Sequence, residues 1–537
     1  MAHRIARLSA LPLHPILFGL FPILYLIETN LGEFDLVDAG RVVALIPAIE
    51  LLILAGFMLL LRSLRKSAVL TSVTMLLLLS YGHFYSVLKA FQVGGLILGR
   101  HRFLVPSWIV VFAAVYFWTA RQERDLINTT GVLNAIGAVA IALPGLSFAV
   151  FFASVLTSRV GAAQANTGLD GERSSAHASE LPDIYYIITD AYGRSDVLLE
   201  HYQYDNSQFL DSLVDQGFYL ADRSVANYLW THLSLATSLN MDYIPEVIPG
   251  WKQGSHVDSV ELIRHSRVRE QLQALGYSTV GFATGWEASE LFDAEYVLTP
   301  DISRMELLSQ QGIFNEFEGL VIHSSVLRIL EDMDALSSTP VAQFMSERLQ
   351  RRFTVQREII LAQFDNLARV PGLPGPKFAF VHIISPHGPY IFGPQGEERT
   401  SSGPFTLAPA SDLGLERDAE LYIDQLVFIS SKLAETVSAI LSESERPVVI
   451  ILQSDHGPAP GLDWEQPEPG PLLAKSAILN AYYVPEQCKP LLYSGISPVN
   501  TFRVIFNCLF EEDLPLLEDV TYFGIEEFIP LDEILGK

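Results

Sequence analysis

The sequence predicts a multi-helix transmembrane anchor followed by an α/β domain with a mostly parallel sheet sandwiched by helices. Three observations carry this prediction. Long apolar segments are confined to the first 157 residues, strand-like and helix-like runs alternate from Asp183 onward, and two of the strand-like runs end at an aspartate. Such alternation is typical of a parallel sheet covered by helices on both faces.

Five apolar segments come first, and most approach the ~20 residues that cross a bilayer. The first carries Pro15 and Pro22 and is followed by no small-residue cleavage site, so we interpret it as an anchor rather than a signal peptide. Glu50 falls within the second segment, where an ionisable group is by default a functional hint; the plainer alternative is that it faces other helices. The segments are residues 13–27, 42–61, 67–88, 103–120 and 132–156.

Lysine and arginine favour one side of these segments. The N-terminus and the second and fourth loops carry seven, against five on the opposite side, which favours a cytoplasmic N-terminus. Five crossings then place the rest of the chain outside the cytoplasm. We therefore predict a five-helix transmembrane domain over residues 1–157, a linker over 158–181 and an extracytoplasmic catalytic domain over 182–537, in a bacterial plasma (inner) membrane.

Charge and cysteine content argue against a nucleic-acid-binding protein and against a cysteine-based zinc or redox site. The 35 Lys and Arg against 61 Asp and Glu give a net charge of −26, which argues against a nucleic-acid partner. The two cysteines, Cys488 and Cys508, lack zinc-finger or CxxC spacing and leave a structural disulfide open.

Strands in the second half are predicted at 183–189, 277–283, 378–384, 448–452 and 477–484. His382 lies within the third of these strands, and we expect it to be buried there. Helices are predicted at 207–216, 260–275, 347–368 and 416–441.

Two of these strands end in metal-ligand side chains. The run from Val448 ends at Asp455 and His456, and the run from Asp183 ends at Asp190. The carboxyl ends of parallel strands meet at one sheet edge, where open α/β sheets bind their ligands. The alternatives are that Asp190 is a helix N-cap, that Asp455 caps a loop and that His456 is a surface histidine.

Three further residues complete the candidate constellation. Thr231 opens a predicted helix, whose N-terminus would stabilise a deprotonated hydroxyl or an anion; alternatively Thr231 is only an N-cap. His387 lies in a Pro-His-Gly-Pro turn after a strand and is suited to stabilising a transferred group or protonating a leaving group, or else faces solvent. Arg194 is a candidate substrate contact or a surface ion-pair partner. A carboxylate pair, an imidazole and a hydroxyl suit a divalent metal that activates an oxygen nucleophile.

The order of these motifs resembles the alkaline phosphatase superfamily in its sulfatase-like branch, and most closely the membrane-anchored phosphoethanolamine transferases and lipoteichoic acid synthases. The resemblance implies that Asp190, Thr231, Asp455 and His456 hold the metal, that Thr231 is the nucleophile, and that His387 contacts substrate, with His382 and His387 matching a paired-histidine turn.

The chain also departs from that pattern. The sequence after Thr231 lacks the Cys/Ser-x-Pro-x-Arg of formylglycine sulfatases, which argues against that cofactor. The first ligand is Asp190 where the transferases usually have Glu. Glu398 and Glu465 stand where further histidines would be expected.

We therefore expect a metal-dependent transferase that moves a phosphoryl-type group, such as phosphoethanolamine or glycerol phosphate, through a covalent Thr231 ester onto a cell-envelope acceptor. One divalent ion is expected, with Zn²⁺ or Mn²⁺ ahead of Ca²⁺ or Mg²⁺, and the partner is a membrane lipid or cell-envelope substrate. The alternatives are a sulfatase or phosphodiesterase on the same scaffold, and a non-catalytic membrane-tethered binding or sensor protein.

Overall fold

The chain divides into two units in a computed structural model. The first comprises residues 1–153, 311–352 and 402–406, and the second comprises residues 154–310, 353–401 and 407–537. The predicted boundaries at 157 and 182 stay predictions, since most of the linker lies outside the described residues. The structure describes residues 11–29, 36–89, 92–93, 96–97, 100–123, 125–165, 181–248, 251, 256–300, 316–329, 339–399, 415–464, 466–525 and 527–536.

The described helices are numbered along the chain. They are α1 (His14–Thr29), α2 (Leu36–Leu61), α3 (Leu64–Lys89), α4 (His101–Arg121), α5 (Ile127–Ala165), α6 (Ser195–Tyr202), α7 (Ser207–Asp215), α8 (Thr231–Asn240), α9 (Ile244–Val247), α10 (His256–Arg264), α11 (Arg267–Ala274), α12 (Glu316–Ser324), α13 (Pro340–Leu367), α14 (Leu415–Glu443), α15 (Pro469–Ser476), α16 (Pro498–Leu509) and α17 (Leu531–Ile534), with 3₁₀ turns at Glu287–Ser289, Val370–Gly372 and Lys489–Leu491.

The first unit contains the apolar helices. Within α2–α5, four stretches are long and apolar enough to cross a membrane, namely Ala39–Leu61, Leu64–Leu88, His101–Arg121 and Ile127–Phe148. The first predicted span, residues 13–27, corresponds to the shorter α1. Glu50 is only 2% exposed and lies against Gly19 of α1, where any added Cβ would meet its carboxylate. Glu50 therefore faces a neighbouring helix.

A distant segment also belongs to this unit. Helix α12 packs against α2 and α3, and Phe317 is fully buried in their apolar core. Arg41 donates to both carboxylate oxygens of Glu318, at 2.8 and 2.5 Å. The Val326 N–H donates to the carbonyl of Leu78 at 2.7 Å. The membrane helices are thus joined by a segment more than two hundred residues further along the chain.

The second unit is built on a seven-stranded sheet. Its strands are β1 (Asp183–Asp190), β2 (Tyr219–Leu220), β3 (Ser278–Phe282), β4 (Tyr296–Leu298), β5 (Lys377–Pro386), β6 (Val448–Ser454) and β7 (Asn480–Tyr483). They lie in the order β2-β7-β6-β1-β5-β3-β4. Strands β1, β3, β4, β5 and β6 run parallel, and β7 runs antiparallel between β6 and β2. The prediction of a mostly parallel sheet is confirmed, with β7 as the exception.

Two short antiparallel pairs lie outside this sheet. They join Gln92–Val93 to Leu96–Ile97 and Tyr522–Phe523 to Ile529–Pro530.

Both faces of the central strands are covered, because every residue of β1, β5 and β6 is buried. Alternate residues such as Ile184, Tyr186 and Ile188 form one core with apolar residues of α8 and α16, while α14 packs against β5. This continuous burial explains the unbroken apolar runs by which these strands were predicted.

Some predicted elements have different bounds. The predicted helix 260–275 is two helices, because the Ser266 side chain caps a new start at α11 by accepting from the Arg269 N–H. Cys488 and Cys508 form a disulfide that ties the end of α16 to the preceding loop.

Candidate active site

The candidate site lies at the carboxyl ends of three neighbouring strands. Strand β1 lies between β5 and β6. Asp190 is the last residue of β1, Asp455 and His456 directly follow β6, and His387 directly follows β5. The parallel register therefore brings to one edge four side chains from three distant parts of the sequence.

Two carboxylates form the base of this site. Asp190 is 5% exposed and Asp455 is 1% exposed. With His382, they offer ligand atoms that all lie within 4.8 Å of one another. One oxygen of Asp455 accepts from the Ala191 N–H at 3.1 Å. Asp190 ends a strand and Arg194, not Asp190, is the N-cap of α6, so the N-cap alternative does not describe it.

Thr231 faces these groups from the first turn of α8. Its Oγ1 lies 3.2 Å from Nε2 of His456. The Ser234 hydroxyl, one turn later, donates to the carbonyl of Asp455 at 2.6 Å and so fixes the start of α8 against the end of β6. Trp230 occupies the N-cap position. Thr231 is therefore next to the free N–H groups of a helix start.

His456 is buried at the centre of the site. Its Nε2 lies 3.7 Å from Oδ1 of Asp190 and 3.5 Å from Oδ2 of Asp455. Burial, together with Lys475 and His387, lowers the pKa of His456 to about 4 although Asp455 and Asp190 act in the opposite direction. His456 is therefore neutral at pH 7, the state that can bind a metal.

Lys475 is a site residue that the sequence did not indicate. Its Nζ lies 3.0 Å from Nδ1 and 3.1 Å from Nε2 of His456. Burial lowers the pKa of Lys475 to about 8, against the opposing influence of Asp455 and Asp190. Lys475 is at the end of α15, in a stretch without a recognisable motif, so only the packing of α15 identifies it.

The reason for glycine in Asp-His-Gly is the approach of α15. The Gly457 N–H donates to the carbonyl of Lys475 at 2.7 Å. A Cβ at Gly457 would clash with the carbonyl oxygens of Ala474 and Ala477. The small residue therefore lets α15 come close enough to bring Lys475 to His456.

His382 is a further residue of the cluster. It is fully buried, as predicted, with Nε2 3.4 Å from Oδ2 of Asp190 and Nδ1 3.1 Å from the Ser289 hydroxyl. Burial works to raise the pKa of Asp190, but His387, His382 and His456 outweigh it and hold that pKa below its usual range. Asp190 is therefore a carboxylate at neutral pH.

His387 lies beside this cluster and is only partly buried. Its ring centroid is 6.1 Å from that of His456. Its Nδ1 lies 2.6 Å from the carbonyl of Gly388, which makes Nδ1 the donor and leaves Nε2 without a proton in the neutral ring. Gln425 of α14 donates to the carbonyl of His387 at 2.9 Å and so anchors the turn.

Arg194 is not joined to the cluster by any described contact. Its guanidinium pairs with Asp196 through two 2.8 Å bonds and donates to the carbonyl of Ser224 at 2.8 Å. These contacts fit the ion-pair alternative that the sequence left open.

The buried polar atoms of the site fit a metal ion. Oδ1 of Asp190, Oδ2 of Asp455 and Nε2 of His382 are buried and accept or donate no hydrogen bond among the described residues. Buried carboxylate oxygens left in this state are costly, whereas a divalent cation would satisfy them. Mixed oxygen and nitrogen ligands agree with the type of metal expected from the sequence.

The fold and this edge of carboxylates, imidazoles and a hydroxyl define an α/β enzyme of the alkaline phosphatase type. A family model described as Sulfatase matches residues 182–478, more than half of the chain. The chain therefore belongs to the sulfatase family, as the resemblance implied, and is an enzyme of that superfamily.

Solved structures with a similar fold have low sequence identity. The C-terminal periplasmic domain of EcEptC from Escherichia coli is 13% identical, with a TM-score of 0.41 over 67% of this chain and 95% of that one. The integral membrane lipooligosaccharide phosphoethanolamine transferase A from Neisseria meningitidis is 11% identical, with a TM-score of 0.39 over 94% and 95% of the two chains. The lipoteichoic acid synthase LtaP from Listeria monocytogenes is 11% identical, with a TM-score of 0.38 over 66% and 78%. No curated protein matches the chain significantly.

Proposed function

We propose that this chain is a membrane-anchored, metal-dependent phosphotransferase that forms a covalent ester on Thr231. The observation that carries the proposal is the position of the Thr231 hydroxyl, at a helix start and 3.2 Å from Nε2 of His456. The transferred group is of the phosphoryl type, such as phosphoethanolamine or glycerol phosphate, and the acceptor is a component of the cell envelope.

Asp190, Thr231, Asp455 and His456 would hold the metal, with His382 next to Asp190. A bound divalent ion would lower the pKa of the threonine hydroxyl and offset charge on the phosphoryl oxygens. The neutral state of His456 and the ionised state of Asp190 suit these roles.

The proposed reaction consists of two successive displacements at phosphorus. The Thr231 oxygen bonds to phosphorus as its proton passes to solvent, and the bond from phosphorus to the donor oxygen breaks. The departing oxygen takes a proton from His387 in its protonated form. An acceptor hydroxyl next attacks phosphorus, gives its proton to His387, and the Thr231–phosphorus bond breaks as the threonine oxygen takes up a proton again.

Lys475 would supply a buried positive charge next to His456. Its ammonium lies within 3.1 Å of the same His456 nitrogen that Thr231 contacts. A fixed cation at this distance stabilises negative charge that develops on the transferred group. The burial of Lys475 strengthens the effect because water screens it less.

The location supports a cell-envelope substrate. The first unit has four stretches able to span a membrane. The disulfide between Cys488 and Cys508 is typical of an oxidising compartment, which agrees with a catalytic domain outside the cytoplasm of a bacterial inner membrane. A lipid-linked donor or acceptor is the substrate most accessible to such an enzyme.

Mass spectrometry of the peptide that contains Thr231 tests the proposal. Purified protein, incubated with phosphatidylethanolamine or phosphatidylglycerol and quenched in acid, should carry a phosphoethanolamine or glycerophosphate adduct on Thr231. The mass added identifies the transferred group. An unmodified Thr231 during active turnover would contradict the covalent mechanism.

A hydrolase is the second candidate, because the chain belongs to a family described as Sulfatase. The same Thr231 ester could be resolved by water instead of an acceptor hydroxyl. Assays with an aryl phosphate diester and an aryl sulfate separate these reactions, since strong turnover of the sulfate would exclude the phosphotransferase. A purified protein that binds no Zn²⁺ or Mn²⁺ would instead indicate a non-catalytic binding protein.

A further inference from the structure

One face of α14 holds the loops of the candidate site. The Tyr422 hydroxyl donates to the carbonyl of Ala191 at 2.8 Å, and the Gly193 N–H donates to the same hydroxyl at 3.1 Å. Gln425, nearly one turn later, holds the turn that carries His387. Asp418 lies one turn before Tyr422, so it belongs to the same helix face.

Asp418 lies next to tyrosine side chains. Its Oδ1 accepts a 3.0 Å hydrogen bond from the Tyr390 hydroxyl. The rings of Tyr202 and Tyr422 lie 4.8 Å apart, and Asp418 is close enough to Tyr202 to influence its ionisation. Among the described residues, no lysine or arginine forms an ion pair with Asp418.

His387 acts on both Asp418 and the candidate metal ligand Asp190. Burial raises the pKa of Asp418, while Tyr390 and His387 act to lower it. The imidazole of His387 also lowers the pKa of Asp190. His387 therefore influences both Asp190 and Asp418, and Tyr390, which bonds to Asp418, follows His387 by three residues.

We propose that Asp418, Tyr390 and Tyr202 form a subsite that binds a primary ammonium on the transferred phosphoryl group. The proposal rests on the proposed function and narrows the donor to one with an aminoalkyl headgroup. We call these three residues the ammonium subsite.

The chemistry of the ammonium subsite favours this ligand over the alternatives. A partly buried carboxylate that no described lysine or arginine pairs with gains a charge-assisted hydrogen bond from an ammonium, and tyrosine rings attract the same charge through their faces. A glycerol headgroup is uncharged and would leave the carboxylate uncompensated. A divalent metal would need more than a single carboxylate among phenol groups.

The test compares two lipids that differ only in headgroup. Purified full-length protein is given phosphatidylethanolamine or phosphatidylglycerol with identical acyl chains, and kcat/KM is measured from the diacylglycerol released. The wild type should prefer the ethanolamine lipid. Asp418→Asn should lower the ratio of the two kcat/KM values by about ten- to a hundredfold, the effect of one lost charge-assisted hydrogen bond.

Two further variants make the result specific. Glu420→Gln removes the same charge from the same helix, at an exposed position paired with Arg417, and should keep the wild-type ratio. Asp418→Glu retains the charge and should retain a preference for the ethanolamine lipid.

Each outcome bears on one proposal. Equal use of both lipids by the wild type, or an Asp418→Asn variant that slows both equally, would overturn the ammonium subsite and leave the phosphotransferase standing. Failure of the wild type to cleave either lipid or a simple aryl phosphate diester would overturn the proposed function itself.

Discussion

The hydroxyl of Thr231 lies 3.2 Å from Nε2 of His456, although 225 positions separate the two residues in the sequence. The contact exists because α8 begins where β6 ends, with Ser234 bonded to the carbonyl of Asp455. The nucleophile role proposed for Thr231 requires this hydroxyl, which an alanine would lack.

Replacing Thr231 tests that role directly. Thr231→Ala should lower kcat by at least about a thousandfold, the scale seen when a nucleophile is removed, while the melting temperature stays near wild type and most of the Zn²⁺ binding is retained by Asp190, Asp455 and His456. Thr231→Ser keeps the hydroxyl and should keep measurable turnover. An alanine variant with full activity would refute the nucleophile assignment.

Lys475 should affect catalysis and metal binding in opposite directions. Lys475→Met removes a buried positive charge next to the site, so Zn²⁺ or Mn²⁺ should bind more tightly while kcat falls by roughly ten- to a hundredfold. Isothermal titration of the metal-free protein and steady-state kinetics measure the two effects. If both affinity and kcat fell together, Lys475 would be a structural residue only.

Gly457 tests the close approach of α15. Gly457→Ala should destabilise the protein by about 1–3 kcal/mol, because the added methyl group meets the carbonyl oxygens of Ala474 and Ala477. Gly372→Ala is the matched control, since nothing lies within 4 Å of the methyl group it adds. Thermal unfolding compares the two, and equal melting temperatures would contradict the packing described for Gly457.

The disulfide between Cys488 and Cys508 should stabilise the protein, and its formation in cells should indicate that the domain lies in an oxidising compartment. Replacing both Cys488 and Cys508 by Ser should lower the free energy of unfolding by roughly 3 kcal/mol, as expected for a loop of this length. Reduction of the wild type should give the same loss. Thiols that react with a maleimide in intact cells before any reductant is added would show that the bond does not form in the cell.

The sequence predicted the ligands at the ends of the strands better than the contacts that depend on how strands and helices pack. Asp190 and Asp455 were predictable together because unbroken apolar runs precede both, and such runs identify neighbouring buried parallel strands. His382 was predicted to be buried, but its contact with Asp190 follows from the pairing of β1 with β5, which no local pattern reveals. Lys475 was missed because its approach depends on α15 packing against Gly457.

The direction of β7 and the packing partners of α12 also could not be predicted from local sequence patterns. The run 477–484 looked like the other strands, yet β7 is antiparallel, since its direction depends on where the chain re-enters the sheet. Similarly, nothing in residues 316–324 predicts that they pack with the membrane helices, because the partners of Phe317 and Glu318 precede them by more than two hundred positions.

The bond between Arg41 and Glu318 has a practical consequence for dissecting this enzyme. A truncated protein that starts at residue 182 would carry α12 without the helices that bury Phe317, and would present that apolar surface to water and to other copies of itself. A water-soluble fragment should therefore also omit residues 311–352 and 402–406 and replace them with polar linkers, so that the cuts follow the two units that the chain forms.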